Sequence, residues 1–167
     1  MKWLFLPLER SFSKDKFDCG ISELNEYLLK YALQNQKTGV AKTFVAIANQ
    51  EEKIIDGYYS VSMSQIERAT IPHEQAKRLP RYPIPAMLIG KLAVDRKSQG
   101  QGLGEELLID ALQKAVRLAG EIGIFAVRVD AINDRAKSFY LKYGFIPLKD
   151  NDSALFLPMK TIIKIFV

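Results

Sequence analysis

Glycines at every second position mark the stretch of the sequence whose residue types point most directly to chemistry. In "RKSQGQGLGEEL", Gly100, Gly102 and Gly104 lie between a strand-like run and a helix-like run. Glycine permits sharp turns and close approach of the backbone to a ligand. The unpaired amides and the dipole at a helix start favour anions. With Arg96 and Lys97 alongside, the pattern predicts a phosphate-binding loop, although three glycines alone fit a plain strand-to-helix turn equally well.

The common nucleotide motifs do not describe this loop. A Walker loop requires Gly-x-x-x-x-Gly-Lys-Ser/Thr, and no Lys-Ser or Lys-Thr pair follows these glycines. The dinucleotide fingerprint requires Gly-x-Gly-x-x-Gly, whereas the spacing here is Gly-x-Gly-x-Gly. The loop therefore has to be interpreted together with the elements around it.

Composition limits the classes of protein to which the chain can belong. Its 167 residues predict a single domain, 1–167, and 48% hydrophobic against 26% charged residues predicts a packed core. The net charge of +5 favours polyanionic partners. One cysteine and one histidine exclude an intrachain disulfide and a Cys/His metal cluster. Apolar runs too short for a signal peptide or a membrane span predict a cytoplasmic protein without a membrane partner.

Hydrophobic periodicity predicts the element order β-α-β-β-(α)-β-α-β-α-β-β, a mixed α/β domain. A first helix is expected within 18–36, on an apolar face of Leu24, Leu28, Leu29 and Ala32. The continuous apolar run 86–94 predicts a central strand, and the prolines of "RYPIP" predict irregular structure before it. The end, "TIIKIFV", is apolar and predicts either an added strand or a contact with another chain.

The glycine loop is followed by the most regular helix pattern of the chain, over 103–120. One apolar face is predicted, and its members are Leu107, Leu108, Ala111, Leu112, Ala115 and Leu118. A later helix over 135–144, "RAKSFYLKYG", is expected to stop at Gly144. The loop thus lies in a strand–loop–helix unit, with a strand and a second helix after it.

Two motifs in this arrangement resemble those of the GCN5-related N-acetyltransferases (GNAT family). Gln99-x-x-Gly102-x-Gly104, after "LAVD", looks like that family's acyl-coenzyme A loop. "NDRAKSFYLKYGF", from Asn133 to Phe145, looks like its later segment, in which an Asn and a Tyr on one helix precede Gly-Phe. The resemblance implies a mixed, mostly antiparallel sheet flanked by helices, with a splayed central strand pair forming the acetyl-CoA site.

The flanking sequence narrows the resemblance. "FDCGISELNEYL", "RYPIPAMLIGKLAV" and "DSALFLPMKTI" are similar to the acetyltransferase toxins of bacterial toxin–antitoxin pairs. That resemblance implies transfer of an acetyl group to the α-amine of an aminoacyl-tRNA, a block of translation, a ribbon-helix-helix antitoxin as partner, and a homodimer.

The family resemblance also assigns roles to residues. Tyr140 matches the general acid that protonates the departing thiolate, with Tyr143 as a local competitor interpreted as packing. Leu92 and Val94 match positions whose backbone binds pantetheine. Asn133 matches a contact near the sulfur, and an Asn before a helix is also a good N-cap by itself. The full set of cofactor-binding residues implied is Leu92, Ala93, Val94, Arg96, Lys97, Gln99, Gly100, Gln101, Gly102, Leu103, Gly104 and Asn133.

The type of acceptor amine is inferred from the absence of an evident general base. No Glu or His stands out as a general base, and an α-amine, with a pKa of about 7.7–8.0, needs less help than a lysine near 10.4. Phosphate contacts would hold tRNA, and the candidate cations are Arg78, Arg81 and Lys91 near the site strand and Lys30, Lys37 and Lys42 on the early elements. Tyr82 is a candidate for stacking on the terminal adenine, but packing within its loop is the favoured interpretation. Acetylation of a protein N-terminus, polyamine or other small amine, and a non-catalytic module that binds coenzyme A or RNA, stay open as alternatives.

Overall fold

The computed structural model describes residues 2–149 and 151–166. Its β-strands are β1 Leu4–Pro7, β2 Lys42–Ile47, β3 Ile55–Ile66, β4 Ile84–Val94, β5 Ala126–Asp130, β6 Ile146–Leu148 and β7 Asn151–Pro158. Its α-helices are α1 Ser22–Glu26, α2 Ala32–Thr38, α3 His73–Ala76, α4 Leu103–Ala119, α5 Asp134–Lys142 and α6 Met159–Phe166. A π-turn, Tyr27–Tyr31, joins α1 to α2, and 3-10 turns span Arg68–Thr70 and Arg96–Ser98.

The strands form a sheet in the order β1-β2-β3-β4-β5-β7-β6. The pairs β1/β2, β2/β3, β5/β7 and β6/β7 are antiparallel, and β4/β5 is parallel. This confirms the predicted mixed α/β architecture with a mostly antiparallel sheet. The described residues group into two compact units, unit 1 from Met1–Ser62 and Gly90–Ala111, and unit 2 from Met63–Ile89 and Leu112–Val167.

Unit 1 has its own apolar core. The π-turn and its two flanking helices contribute Leu24, Leu28 and Ala32, which pack with residues of β2 and β3 such as Val45 and Tyr58. Burial of side chains of this size is the main favourable term in folding, at about 1.5–3 kcal/mol each. The same core includes Ala93, in the strand that leads into the glycine loop.

Unit 2 is built around a second core. Ala86 of β4 and Ala126 of β5 pair in parallel register, and Phe156 of β7 is fully buried beside them. Phe125 stacks on Phe156 with ring centroids 6.4 Å apart. The same unit contains α5, whose position is thereby tied to a packed sheet. Within the described part of the chain, no helix is long and apolar enough to cross a bilayer.

The structure corrects the prediction that "RYPIP" is irregular throughout. Strand β4 begins at Ile84, which is buried, and Pro85 lies within the strand. The carbonyl of Pro85 accepts a hydrogen bond from the Phe125 amide at 3.0 Å. Proline lacks a donor but keeps its acceptor, so the first residues of a strand tolerate it.

Two leucines assigned to buried helix faces are exposed. Leu29 is 46% exposed, whereas Leu28 is fully buried, because neighbouring residues of a helix point about 100° apart and only one of the two can face the core. Leu118 is 42% exposed. Periodicity gives the direction in which a side chain points from its helix, and a neighbour must still cover it.

The end of the chain is a helix, so the prediction of an added strand was wrong. In α6, Met159 and Ile162 are buried at helical spacing, while Ile163 and Ile165 are exposed. Short apolar runs do not distinguish a strand from a helix, which explains the error. Val167 lies outside the described residues.

Candidate functional site

The glycine loop, residues 99–104, leaves backbone donors available at the start of α4. Gly100 and Gly102 adopt left-handed φ values of +77° and +87° and are exposed, a conformation that side-chain-bearing residues rarely adopt. Within residues 2–149 and 151–166, the amides of Gly100, Gln101 and Gly102 donate to no acceptor. Successive unpaired amides at a helix start are suited to an anion, and phosphate binding by this loop stays a prediction.

Strand β4 extends beyond the residues that pair with β5. Its pairing with β5 ends at Ile89↔Val129, and β4 continues to Val94. Ala93 is buried, whereas Leu92 and Val94 are half-buried. The last residues of β4 therefore lie outside the β4/β5 ladder, as expected for a central pair that diverges.

Asp95 fixes the bend between β4 and the glycine loop, and the sequence analysis did not identify it. Its carboxylate is 4% exposed, and it accepts the Lys97 amide at 2.9 Å and the Asp18 amide at 3.1 Å. Its own amide donates to the Asp56 carbonyl at 2.8 Å. A buried carboxylate whose two oxygens both accept N–H donors is well satisfied.

The segment "DCG", Asp18 to Gly20, is tied to the same bend. The Arg96 amide donates to the Asp18 carbonyl at 2.9 Å, and the Gln99 side chain donates to the carbonyls of Cys19 at 3.1 Å and Val94 at 2.9 Å. Gln99 thus holds the loop with its side chain. Asp18, Cys19, Asn25, Asp95 and Gln99 are called the Asp95 latch below.

Asn25 and Gly20 complete the surroundings of Asp18. The Asp18 carboxylate accepts the Gly20 amide at 2.9 Å and the Asn25 side-chain amide at 3.0 Å. These bonds, the one from Gly20 foremost and a smaller contribution from Arg96, lower the pKa of Asp18. The Arg96 guanidinium lies 3.6 Å from the carboxylate, with both side chains exposed, so its charge is shared between Asp18 and any ligand of the loop.

The other polar side chains of the loop region lie at its surface. Lys97 is exposed, and Gln101 donates to the Lys97 carbonyl at 3.1 Å while accepting a hydrogen bond from Lys2. Lys2 also lies over the Trp3 ring, 5.0 Å from its centroid. The structure therefore adds a third cation, Lys2, beside the two that the sequence predicted near the loop.

In unit 2, Asn133 is the N-cap of α5. Its side-chain oxygen accepts the Ala136 amide at 2.8 Å, the contact that makes Asn a favoured cap. This bond uses the side-chain oxygen. The amide nitrogen of Asn133, an exposed residue, is left for the predicted contact with coenzyme A, which would accompany the capping role.

Tyr140, also on α5, combines a buried ring with a hydroxyl that no described residue contacts by a hydrogen bond. The residue is 6% exposed, and its ring packs against Phe139 and Phe145 at centroid distances of 5.2 and 5.3 Å.

Burial raises the pKa of Tyr140 well above the ordinary value of 10.0. The neutral phenol is therefore the form present at physiological pH, and it is a proton donor. Tyr143, the local competitor, packs its ring on Phe139 at 5.1 Å, in agreement with its interpretation as a packing residue.

The candidate RNA-binding cations differ in their surroundings. Arg78 and Arg81 are exposed in the segment after α3, and Tyr82 beside them is 66% exposed. Lys91 is half-buried, with its ammonium 4.8 Å from the centroid of the Tyr27 ring. A cation–π contact holds its charge in place, whereas the two arginines are ordinary surface charges.

No cluster of three or more His, Cys, Asp or Glu side chains suited to a metal ion occurs in the parts of the chain that the structure describes. Cys19 is buried and His73 is exposed. The groups available for chemistry are the loop amides, the end of β4 and the Tyr140 phenol.

Comparison with known proteins agrees with this set of features. Residues 12–162 match the acetyltransferase (GNAT) domain family. A tRNA-acetylating toxin of Mycobacterium tuberculosis is 36% identical over 129 residues, which cover 77% of this chain and 75% of the toxin.

Solved structures resemble the chain over nearly its full length. A tyrosine-to-phenylalanine mutant of KacT superposes with a TM-score of 0.95 at 30% identity, covering 99% of this chain and 100% of that one. AtaT complexed with acetyl-methionyl-tRNAfMet gives 0.92 at 32% identity, covering 99% of both chains. A mutant AtaT toxin bound to the C-terminus of the antitoxin AtaR and acetyl-CoA gives 0.87 at 30% identity, covering 100% of this chain and 99% of that one. The chain belongs to the GNAT acetyltransferase family.

Proposed function

We propose that the protein is a toxin that uses acetyl-CoA to acetylate the α-amino group of aminoacyl-tRNA and so blocks translation. The observation that carries the proposal is the presence in one chain of a glycine loop with unpaired amides and of a buried, protonated tyrosine, together with 36% identity to a tRNA-acetylating toxin. A solved relative contains acetyl-methionyl-tRNAfMet, the product that such a reaction would give.

The glycine loop would hold the pyrophosphate of acetyl-CoA. The amides of Gly100, Gln101 and Gly102 have no acceptor within the described residues and can point at one anion. Arg96, Lys97 and Lys2 supply positive charge around it. The structure of AtaT with acetyl-CoA supports the same donor here.

The end of β4 would hold the pantetheine arm. The β4/β5 register ends at Ile89, so the backbone of Leu92 and Val94 can pair with an extended ligand as a strand would. We assign the Val94 amide to polarise the thioester carbonyl. Backbone donors of this kind stabilise the oxygen as it becomes negative.

The transfer needs no covalent enzyme intermediate. The acceptor nitrogen attacks the thioester carbon, a tetrahedral adduct forms, and the carbon–sulfur bond breaks. Tyr140 gives its phenol proton to the departing sulfur, and the proton lost by the nitrogen returns through water to the phenolate. The net products are an amide and coenzyme A thiol, and Tyr140 ends as it began.

The surroundings of Tyr140 favour the acid role over that of a base. An ordinary thiol has a pKa of about 8.5 and an ordinary phenol about 10, and burial raises the pKa of Tyr140 further. Proton transfer to a free thiolate would thus be unfavourable. It has to accompany bond breaking, which requires the hydroxyl to be positioned in advance; the packing of the ring on Phe139 and Phe145 provides this.

The acceptor follows from the lack of an evident base. An α-amine of pKa about 7.7–8.0, lowered by the ester on its own carboxyl, is largely neutral at physiological pH. We assign Arg78, Arg81 and Lys91 to phosphates of the tRNA, with Tyr82 exposed beside the first two for stacking on an unpaired base.

A ribbon-helix-helix antitoxin and a second copy of the chain are the proposed protein partners. In one solved structure, a mutant AtaT toxin is bound to the C-terminus of the antitoxin AtaR. In this chain, Ile163 and Ile165 of α6 are exposed apolar side chains that either partner could cover. Light scattering of the purified protein would give its mass and decide whether it is a dimer.

The deciding experiment offers labelled acetyl-CoA and total tRNA to the purified protein, once aminoacylated and once deacylated. Label in the RNA only when it is aminoacylated supports the α-amine as acceptor. Label in deacylated tRNA contradicts it. Absence of label in either, with acetyl-CoA binding shown by calorimetry, would move the acceptor to a protein N-terminus, polyamine or other small amine.

A further inference from the structure

We propose that Asp95 is a positioning residue for the phosphate end of acetyl-CoA and acts through the glycine loop that follows it. The inference rests on the proposed use of acetyl-CoA and extends it to a residue that touches no ligand. Asp95 precedes the loop in the sequence and is the one charged residue that is buried among the described residues.

The contacts of Asp95 join three separate segments. Its carboxylate accepts amides of Lys97, two residues on, and of Asp18, 77 positions earlier. Its amide donates to Asp56 of β3. One residue therefore connects the bend before the loop to the "DCG" segment through its side chain and to the sheet through its backbone amide.

Gln99 closes the Asp95 latch from the other side of the bend. Its side-chain nitrogen donates to the carbonyls of Cys19 and Val94. The residue next to it is Gly100, whose amide donates to no described acceptor. The latch thus holds the chain on either side of the bend and fixes the direction of the amides that follow.

A direct contact between Asp95 and phosphate is excluded by chemistry. The carboxylate is negative, 4% exposed, and both its oxygens already accept hydrogen bonds. Its effect on binding must act through the loop. A loop that is already ordered loses less conformational entropy when its amides bind the anion. That effect should appear only with donors that carry the pyrophosphate.

The test is Asp95→Asn, assayed with acetyl-CoA and with S-acetylpantetheine, which lacks the phosphates. The new NH₂ group would face a backbone N–H, so one latch bond becomes a repulsion between two donors. We expect KM for acetyl-CoA to rise about tenfold or more, kcat to change much less, and KM for S-acetylpantetheine to stay the same.

Ser60→Ala is the matched control in the same unit. Ser60 is 3% exposed, and its hydroxyl bonds to that of Thr43 at 2.6 Å, away from every latch residue. This variant should lose stability through a buried hydrogen bond and keep both KM values. Equal rises in both KM values in Asp95→Asn, or no rise in either, would overturn the proposal.

A second variant covers the case in which Asp95→Asn fails to fold. Asn25 is half-buried and accepts the Cys19 amide at 2.8 Å, so Asn25→Ala loosens the latch from its far end. We expect the same selective rise, about threefold; an unchanged ratio of the two KM values would contradict the proposal. Calorimetry of the wild-type protein distinguishes failure of this proposal from failure of the proposed function, because absence of heat on mixing with acetyl-CoA would refute the proposed function itself.

Discussion

Gly100 and Gly102 are exposed and present bare backbone, whereas Tyr140 is 6% exposed and presents a single hydroxyl from an aromatic cluster. The glycine loop is held by directional hydrogen bonds of the Asp95 latch, and Tyr140 is held by the rings of Phe139 and Phe145. Binding of a charged group calls for several fixed amides. Donation of one proton calls for one fixed oxygen. The two regions therefore should fail differently when they are altered.

The largest expected effect separates proton transfer from binding. Tyr140→Phe removes the phenol oxygen and leaves the ring packing, so acetyl transfer should fall by about 10²–10⁴-fold, while calorimetry shows unchanged affinity for acetyl-CoA. Tyr143→Phe is the control on the same helix end, and it should keep most of its activity. Wild-type turnover in Tyr140→Phe would remove Tyr140 as the acid.

A smaller effect is expected when the loop backbone is altered. Gly102→Ala places a side chain at φ +87°, although nothing lies within 4 Å of the new methyl group. The strain, about 1–2 kcal/mol, should weaken acetyl-CoA binding about tenfold and leave kcat nearly unchanged.

Gly39→Ala is the matched control for that prediction. Gly39 has φ +83° and equally open surroundings, but it ends α2. The variant should have a similar backbone strain and a lower unfolding midpoint, and its affinity for acetyl-CoA should be unchanged. If both variants weaken binding equally, strain in the loop is not the cause.

Gly57→Ala probes the support under the loop. A methyl group there would lie 3.0 Å from side-chain atoms of Leu103 and Leu107 and 3.1 Å from the Ala93 carbonyl oxygen. Overpacking of this kind costs about 1–3 kcal/mol, measurable by urea denaturation. Gly123→Ala, where nothing lies within 4 Å, should be close to neutral, and a comparable loss in both variants would contradict the assignment to overpacking.

The pH dependence should give the smallest change. Burial holds the pKa of Tyr140 above its ordinary value, so the acid stays protonated as pH rises to about 10. At saturating acetyl-CoA, kcat/KM for the acceptor should rise as its amine loses a proton and then level off. A falling limb between pH 8 and 9 would argue against Tyr140 as the acid.

The raised pKa of Tyr140 also makes the stability of the fold depend on pH. The folded state favours the neutral phenol, so the contribution of Tyr140 is fully present below pH about 10 and is lost as pH rises through the raised folded pKa. Urea denaturation at pH 9 and at more alkaline pH should show a steeper alkaline loss in wild type than in Tyr140→Phe.

How much the sequence predicted depends on whether a feature is local. The turn at Gly102, the start of α4 and the cap at Asn133 follow from residues a few positions apart, and the structure agrees with each. The Asp95 latch depends on contacts between residues 77 and 80 positions apart, and no local pattern encodes them. The similarity of "FDCG" to a family opening was the one available sign that the segment has a structural task.

The errors have a common physical origin. Pro85 in β4, Leu118 on α4 and the helix α6 were misjudged because each depends on what covers or pairs with the residue. Propensity and periodicity describe a segment by itself. The phosphate-binding role of the loop followed from its glycines and flanking cations, whereas the roles of Tyr140 and of the candidate RNA-binding cations came with the family resemblance. All of them stay predictions for the experiments above.

The π-turn at Tyr27–Tyr31 has an evolutionary consequence. A turn with one extra residue shifts every later side chain by about 100° around the helix axis, and Ala32, the first residue after it, is buried. Homologues that lost the extra residue would have to exchange the identities of the following positions at the same time. The length of this helix should therefore be inherited as a unit, and insertions or deletions within it should divide the family into lineages.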